Sequence, residues 1–287
     1  MIRITNGAMA AGLAGAFSAL AIGACGSSAQ RGADAATSVS TSAGEVVQRA
    51  ADIAGTAKGY RFTLASTETL LGKTIATTGT GSVSAPLRAG RMTITGGPTG
   101  PIEEIFSGHK LYVKLASVGL FTGKQWMVVD LDSLGRRLGI SRLGALLSGS
   151  QANENPAAIL QDLKSEATGV RKVGTATVDG ETTTEYVATI DVEKAIARAS
   201  SKMVGAATFG TLSSLVKGSG LKSIPVSIWI DSAGLARKLS LNFSVTVDGM
   251  PVKADMTVNF VEWGPQPVPS APPASATINV ASLLKGA

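Results

Sequence analysis

Between Val226 and Phe260 apolar and polar residues alternate almost without a break, and no other feature limits the fold as tightly. Val226, Ile228 and Ile230 lead into the turn sequence Asp231-Ser232-Ala233-Gly234. Leu239, Leu241, Phe243, Val245 and Val247 then alternate with Ser240, Asn242, Ser244 and Thr246. After Asp248-Gly249, Val252, Ala254, Met256, Val258 and Phe260 alternate back. A period of two places every apolar side chain on one face of a strand. Three consecutive strands therefore form an antiparallel meander, apolar on one face and polar on the other.

The rest of the chain extends this pattern. Residues 170–178 and 182–190 flank Asp179-Gly180, a dipeptide suited to a tight hairpin because both positions accept positive φ. Tyr60, Phe62 and Leu64 alternate, as do Met92 with Ile94 and Leu111, Val113 with Leu115. Trp126-Met127-Val128-Val129 is apolar on both faces, which predicts a strand covered on both sides. Helices interrupt the strands. Ser42 and Glu45 form a capping-box pattern ahead of Val46, Val47, Ala50, Ala54 and Ala57, predicting a helix over 43–58 that stops at Gly59. Asn155-Pro156 starts a second helix, and Asp191 caps a third. Residues 264–273 are rich in proline and read as an extended crossing segment before a short last element at 278–284. The fold class is α+β: a strongly bent antiparallel half-barrel of roughly ten strands, with helices on its concave face. No linker divides residues 42–287, which read as a single domain.

The only cysteine, Cys25, follows Ile22-Gly23-Ala24 at the end of an uncharged run from Gly7. That run is too short and too rich in Ala and Gly for a good membrane span and reads as a secretory signal, residues 1–24. An aliphatic residue, two small residues and a cysteine resemble the bacterial lipobox. The resemblance implies that Cys25 is acylated, that the chain is cut just before it, and that the protein is anchored on the extracytoplasmic face of the cell membrane. With Cys25 acylated no thiol remains for a disulfide, a nucleophile or a metal site. Residues 25–41 have no apolar period and read as a lipidated flexible tether.

The net charge of +6 and pI near 9.5 raise the question of nucleic acid. No run of Lys and Arg is longer than two residues, as at Arg136-Arg137, and aromatic residues do not interleave with them. No nucleic-acid partner is expected. An enzyme is not expected either, and neither a cofactor nor a metal. The one histidine, His109, reads as a turn residue. Glu103 and Glu104 point to opposite faces of a strand and form no dyad. No nucleophile elbow or phosphate loop is present.

The order of these elements behind a lipidated cysteine resembles the LppX/LprAFG lipoproteins of actinobacteria. The matching stretches are Gly108–Leu115 with Trp126–Asp130, Val178-Asp179-Gly180 with Glu185-Tyr186 and Ile190-Asp191, Pro225–Asp231, and Phe260–Gly264. The resemblance implies a fold like the LolA/LolB carriers, a half-barrel sheet wrapped around helices with an apolar cavity for lipid or lipoglycan acyl chains. A monomer is expected. On that reading the meander would line the cavity with Leu239, Leu241, Phe243, Val245, Met256 and Val258. Leu115, Trp126, Met203 and Phe209 would join them from elsewhere. Alternation alone fits a filled core equally well. The alternative is thus an envelope interaction or sensor lipoprotein with the same fold and a solid interior. The Gly/Ala-rich stretches 139–150 and 204–220 have no assigned role.

Overall fold

The computed structural model describes residues 42–70, 72–86, 88–98, 100–115, 123–133, 160, 163–164, 167–194, 221–247 and 250–279. The signal, Cys25 and the tether lie outside them, as do Asn155-Pro156 and segments 139–150 and 204–220. Among the described residues a helix, α1 (Ala43–Thr56), precedes twelve strands. These are β1 (Gly59–Leu70), β2 (Lys73–Ser84), β3 (Ala89–Thr95), β4 (Ile102–Ser107), β5 (Lys110–Leu115) and β6 (Trp126–Asp130). The chain continues with β7 (Ala167–Val178), β8 (Glu181–Asp191), β9 (Ser223–Asp231), β10 (Ala236–Val247), β11 (Met250–Trp263) and β12 (Thr277–Asn279).

All twelve belong to one unclosed sheet, in the order β12-β6-β5-β4-β3-β2-β1-β11-β10-β9-β8-β7. Every pairing is antiparallel except β12 with β6. Laid flat, the nine spacings from β5 to β7 would span about 43 Å at roughly 4.8 Å each. Yet Leu111 on β5 and Val170 on β7 pack against one buried cluster. The sheet is therefore curled around that cluster.

The meander forms as its alternation requires, with Leu239 opposite Val258 and Ile228, and Leu241 opposite Met256 and Val226. Its first turn is held by Asp231, whose Oδ1 accepts from the Ala233 and Leu235 amides at 2.9 Å each, while Oδ2 accepts from Arg237 Nε at 2.6 Å. The β7–β8 hairpin turns on Asp179 and Gly180, with φ of 49° and 85°. The capping box of α1 is complete: Glu45 N donates to Ser42 Oγ at 3.2 Å, and Ser42 N donates to Glu45 Oε2 at 2.7 Å. Asp191 caps the helical residues that follow it, accepting from Lys194 N at 3.0 Å.

Two details depart from expectation. Helix α1 ends at Thr56, and Gly59 opens β1. A Cβ at Gly59 would meet Val83 O at 2.3 Å and Gly264 O at 2.9 Å. The glycine serves a close backbone approach, not a helix stop. The sheet also has two strands more than roughly ten. Strand β2 carries Thr77, Gly79 and Gly81 at its inward positions, so it shows no apolar alternation. Strand β4 has Glu104 midway between Ile102 and Phe106.

Two of the inward glycines, Gly81 and Gly90, are covered by aromatic rings. A Cβ at Gly81 would lie 2.5 Å from Phe62 Cζ, and one at Gly90 would lie 2.3 Å from Phe106 Cζ. The rings occupy the volume that side chains at β2 and β3 would otherwise fill. Beside them Tyr60, Phe260 and Trp263 pack with ring centroids 4.9–5.6 Å apart, closing one end of the concave face. Val47, Ala50, Ala51 and Ala54 of α1, with Leu160 and Leu163, bury against that same end.

A smaller cluster lies on the outer face, where Ile105, Tyr112 and Trp126 pack with Val128 and Ala276. The segment after β11 brings Ala276 there, and β12 then pairs with β6. Lys124 Nζ donates to Thr277 O at 3.1 Å.

Candidate functional site

Inward side chains form continuous rows across the sheet. One runs Leu115–Ile102–Ile94–Gly79–Leu64 on β5 to β1. It continues Val258–Leu239–Ile228–Tyr186 on β11 to β8. The row crosses nine adjacent strands without a charged residue. Its exposure is graded. Val258, Leu239 and Ile228 are buried in the cluster beneath α1. Leu64, Ile94, Ile102 and Leu115 are half-buried. The next row, Met256–Leu241, is half-buried as well.

Six of the ten residues expected to line a cavity share this concave face on the meander. Leu241, Phe243 and Met256 are half-buried, whereas Leu239, Val258 and Val245 are buried at 0%, 1% and 8% exposure. Leu239 and Val258 belong to the packed cluster. Leu115 joins the concave face at the far wall. Trp126 does not. It pairs with Lys114, which stands on the opposite face of β5 from Leu115, and it packs in the outer cluster. Both faces of β6 are apolar, so its sequence alone gave no way to tell Trp126 from Met127, the residue that does face inward opposite Val113. Met203 and Phe209 lie outside the described residues. Sequence reasoning missed Ile94, Ile102 and Leu64 as members of the row. The alternations at Leu64 and Ile94 were visible, but Glu104 interrupts the one at Ile102, and the pairing that aligns all three was not legible.

Among the described residues, the polar groups at inward positions of β1, β2 and β4 include Ser66, Glu68, Lys73, Thr77 and Glu104. Ser66 and Thr77 face inward opposite each other on β1 and β2, and Glu68 follows Ser66 opposite Ile75. Ser66 Oγ donates to Glu68 Oε1 at 3.4 Å. Glu104 faces inward between Met92 and Val113. Glu103 points outward, where it meets Arg91 at 2.7 Å and Lys114 at 3.8 Å, so the two carboxylates do diverge.

His109 is half exposed at the β4–β5 turn, 3.6 Å from Asp130. Burial pushes the Asp130 carboxyl up, but bonds from the Ser133 amide and hydroxyl and the charges of His109 and Lys110 outweigh it and hold the group below its ordinary value. This pair sits at the far end of β5 and β6 from the apolar row and caps the helical turn at residues 131–133. Among the described residues no group of three or more His, Cys, Asp or Glu could hold a metal ion. Among them, too, no helix is long and apolar enough to cross a membrane.

No protein-family model matches the chain, and no curated protein matches it in sequence. Solved structures do. The Mycobacterium tuberculosis lipoprotein LppX is 14% identical and matches over 79% of this chain and 98% of its own, with a TM-score of 0.47. LprF from Mycobacterium bovis is 14% identical over 79% and 96%, with a TM-score of 0.43. A LolA superfamily protein from Nitrosomonas europaea is 10% identical over 79% and 95%, with a TM-score of 0.30. Likeness at this level does not say what the face binds.

Proposed function

We propose that this chain is an anchored lipoprotein of a bacterial cell envelope, with a LolA-like fold, that holds or transfers lipid or lipoglycan acyl chains on its concave face without catalysing a reaction. One observation supports the reading above others: the apolar row does not end where α1 ends. It passes from buried Leu239 and Val258 to half-buried Leu64, Ile94 and Leu115 on an unclosed sheet. Acyl chains laid there would remove apolar surface from water, at roughly 25 cal/mol per Å². Apolar walls with few polar groups are what a lipid site requires. In this reading residues 42–287 act as one carrier-like unit and a monomer, residues 25–41 tether it, and Cys25 carries the anchor. Two or three acyl chains at about 0.8 kcal/mol per buried methylene would hold it firmly.

The anchor is tested by fractionation. Cys25→Ser should move the protein out of the membrane fraction; unchanged membrane association with an unchanged processed mass refutes lipidation. The ligand is tested on the same Cys25→Ser chain by native mass spectrometry, which should detect co-purified acyl lipid. Met256→Trp, at a half-buried inward position, should lose that lipid while melting within a few degrees of the parent. A parent that carries no lipid, and that Met256→Trp severely destabilises, refutes the carrier. The second reading, an interaction lipoprotein with a filled interior, is favoured by the complete burial of Leu239 and Val258. In that case overpacking at position 256 would cost about 1–3 kcal/mol.

A further inference from the structure

We infer that the strap joining β11 to β12 is a recognition element: its outer side is a preformed polyproline II ridge that fits an aromatic-lined groove on a second protein. The inference does not depend on what the concave face binds. Residues Pro265–Pro273 read Pro-Gln-Pro-Val-Pro-Ser-Ala-Pro-Pro. The prolines fix their own φ, and Gln266, Val268 and Ala271 each precede one, which turns them toward extended backbone. Pro273 shows the result, with φ of −62° and ψ of 144°. Exposure follows the same geometry. Gln266, Pro269 and Pro272 are half-buried, while Pro265, Pro267, Val268, Ser270, Ala271 and Pro273 are exposed. A spacing of three is that of polyproline II, so one edge of the segment lies on the protein and two edges face water. Both ends are held. Gly264 N donates to Gly59 O at 2.9 Å and Trp263 Nε1 to Ala236 O at 2.9 Å. At the other end Thr277 Oγ1 donates to Pro273 O at 2.9 Å, and β12 pairs with β6. A partner would therefore meet a ridge already ordered, with little conformational entropy left to lose.

The chemistry of the ridge limits what that partner can be. Val268 is 47% exposed, one of three large apolar side chains exposed among the described residues. Spanning the sheet requires the length of the strap and its inner contacts, but not an apolar side chain in water at Val268. The prolines lack N–H groups, so a partner strand could not form a ladder with this segment, and it cannot dock as a helix. Among the described residues none hydrogen-bonds to a backbone carbonyl of Pro265–Pro272. Those carbonyls are open to a donor from outside. No residue from Gly264 to Asn279 is charged, so the ridge offers nothing to a charged surface. Pyrrolidine rings, one valine and a row of free carbonyls suit flat aromatic side chains with an indole N–H or phenol O–H among them.

The test uses the full chain in cells that make it. Ser270, on the outer edge, is replaced by the photoreactive p-benzoylphenylalanine; in a control chain Thr175, exposed on the edge strand β7, is replaced instead. Irradiation should give one discrete adduct with a second protein from position 270 and not from position 175. Adding Val268→Asp should lower the adduct yield about tenfold or more, while the protein melts within a few degrees of the parent. The partner, identified by mass spectrometry and purified, should bind a synthetic peptide of residues 264–275. That binding should change little with salt and be lost when the Trp or Tyr nearest the crosslink is replaced by Ala. No adduct from position 270, the same adduct from both positions, an adduct unaffected by Val268→Asp, or peptide binding that collapses at high salt overturns the inference. An adduct joining two copies of this chain also overturns it, since the strap would then be a contact between copies. Lipid recovered with the Cys25→Ser chain should not change on adding Val268→Asp, so this inference and the lipid-binding reading fail separately.

Discussion

Glycines in strands usually weaken a sheet, but at Gly81 and Gly90 an aromatic ring packs into the place a Cβ would take. The ring of Phe106 occupies the place of a Cβ at Gly90, with Ser82 O only 2.6 Å from that position on the same side chain's path. Gly90→Ala should therefore destabilise by about 1–3 kcal/mol in urea unfolding. Adding Phe106→Leu should restore part of the loss, because the clash is with the ring. Gly174 is the control, since a Cβ there would meet nothing within 4 Å. Gly174→Ala should be neutral or stabilise slightly, by under about 1 kcal/mol. Equal losses at Gly90 and Gly174 would show that strand entropy, not the ring, is responsible. None of this was legible in the sequence. A glycine's neighbours across the ladder are set by register, which here puts Phe62 opposite Gly81 and Phe106 opposite Gly90.

Asp130 gives a prediction with a definite pH sign. Its carboxylate accepts from Ser133 N at 2.8 Å, and its folded pKa is lowered. A lowered folded value means that the contribution is fully present above the unfolded pKa, near 3.9, and is lost as pH falls through the folded value. Asp130→Asn, which keeps a capping oxygen and loses the charge, should therefore be less stable than the parent at pH 7 in urea unfolding. The difference from the parent should close as the solution is taken below pH 4. A gap that stayed constant down to acid pH would assign the effect to the lost cap geometry and not to charge.

At the scale of elements, local chemistry was the most readable part of this chain. Ser42 and Glu45 announce the start of α1 by residue type and spacing alone, and both reciprocal bonds form. Ser42→Ala should lower stability by about 0.5–2 kcal/mol, measured by thermal melting, since the helix buries Val47 and Ala51 against the sheet. Little or no change would mean that α1 is held by tertiary packing irrespective of its cap. The Asp179-Gly180 hairpin and the meander were legible for the same reason: turn geometry and period two are properties of neighbouring residues. The helix end was not, because Gly59 answers to Val83 and Gly264, residues far along the chain. Strand β2 was hidden because its inward side carries Thr77, Gly79 and Gly81, with the Phe62 ring of β1 over Gly81.

For the whole molecule the open question is what keeps an unclosed sheet curled. One device is visible at the β6 edge. The residues between β11 and β12 cross to the far side of the sheet, seven strand spacings or about 34 Å along its arc. Residues 264–276 in extended proline-rich form reach about 40 Å, leaving little slack. They deliver Ala276 to the outer cluster and let β12 cover the edge of β6. Deleting residues 277–287 should lower the melting temperature by several degrees and expose Trp126, seen as a red shift in tryptophan emission. An unshifted spectrum with unchanged melting would show that the strap is not needed for curvature.

The sequence by itself determined which residues share a face, where the hairpins turn and where α1 begins. These follow from backbone periodicity and from short-range hydrogen bonding, which operate within a few residues. Tertiary structure alone decided the order of strands, the alignment of Leu115, Ile102, Ile94 and Leu64 with the meander, and the placement of Trp126 outside. It also decided the depth of each inward residue, burying Leu239 while leaving Leu241 half-buried two positions later. Alternation reports only that a side chain leaves the pleat on a given side. How far that side is covered depends on the reach of α1 across a curved sheet and on partners brought together from distant parts of the chain.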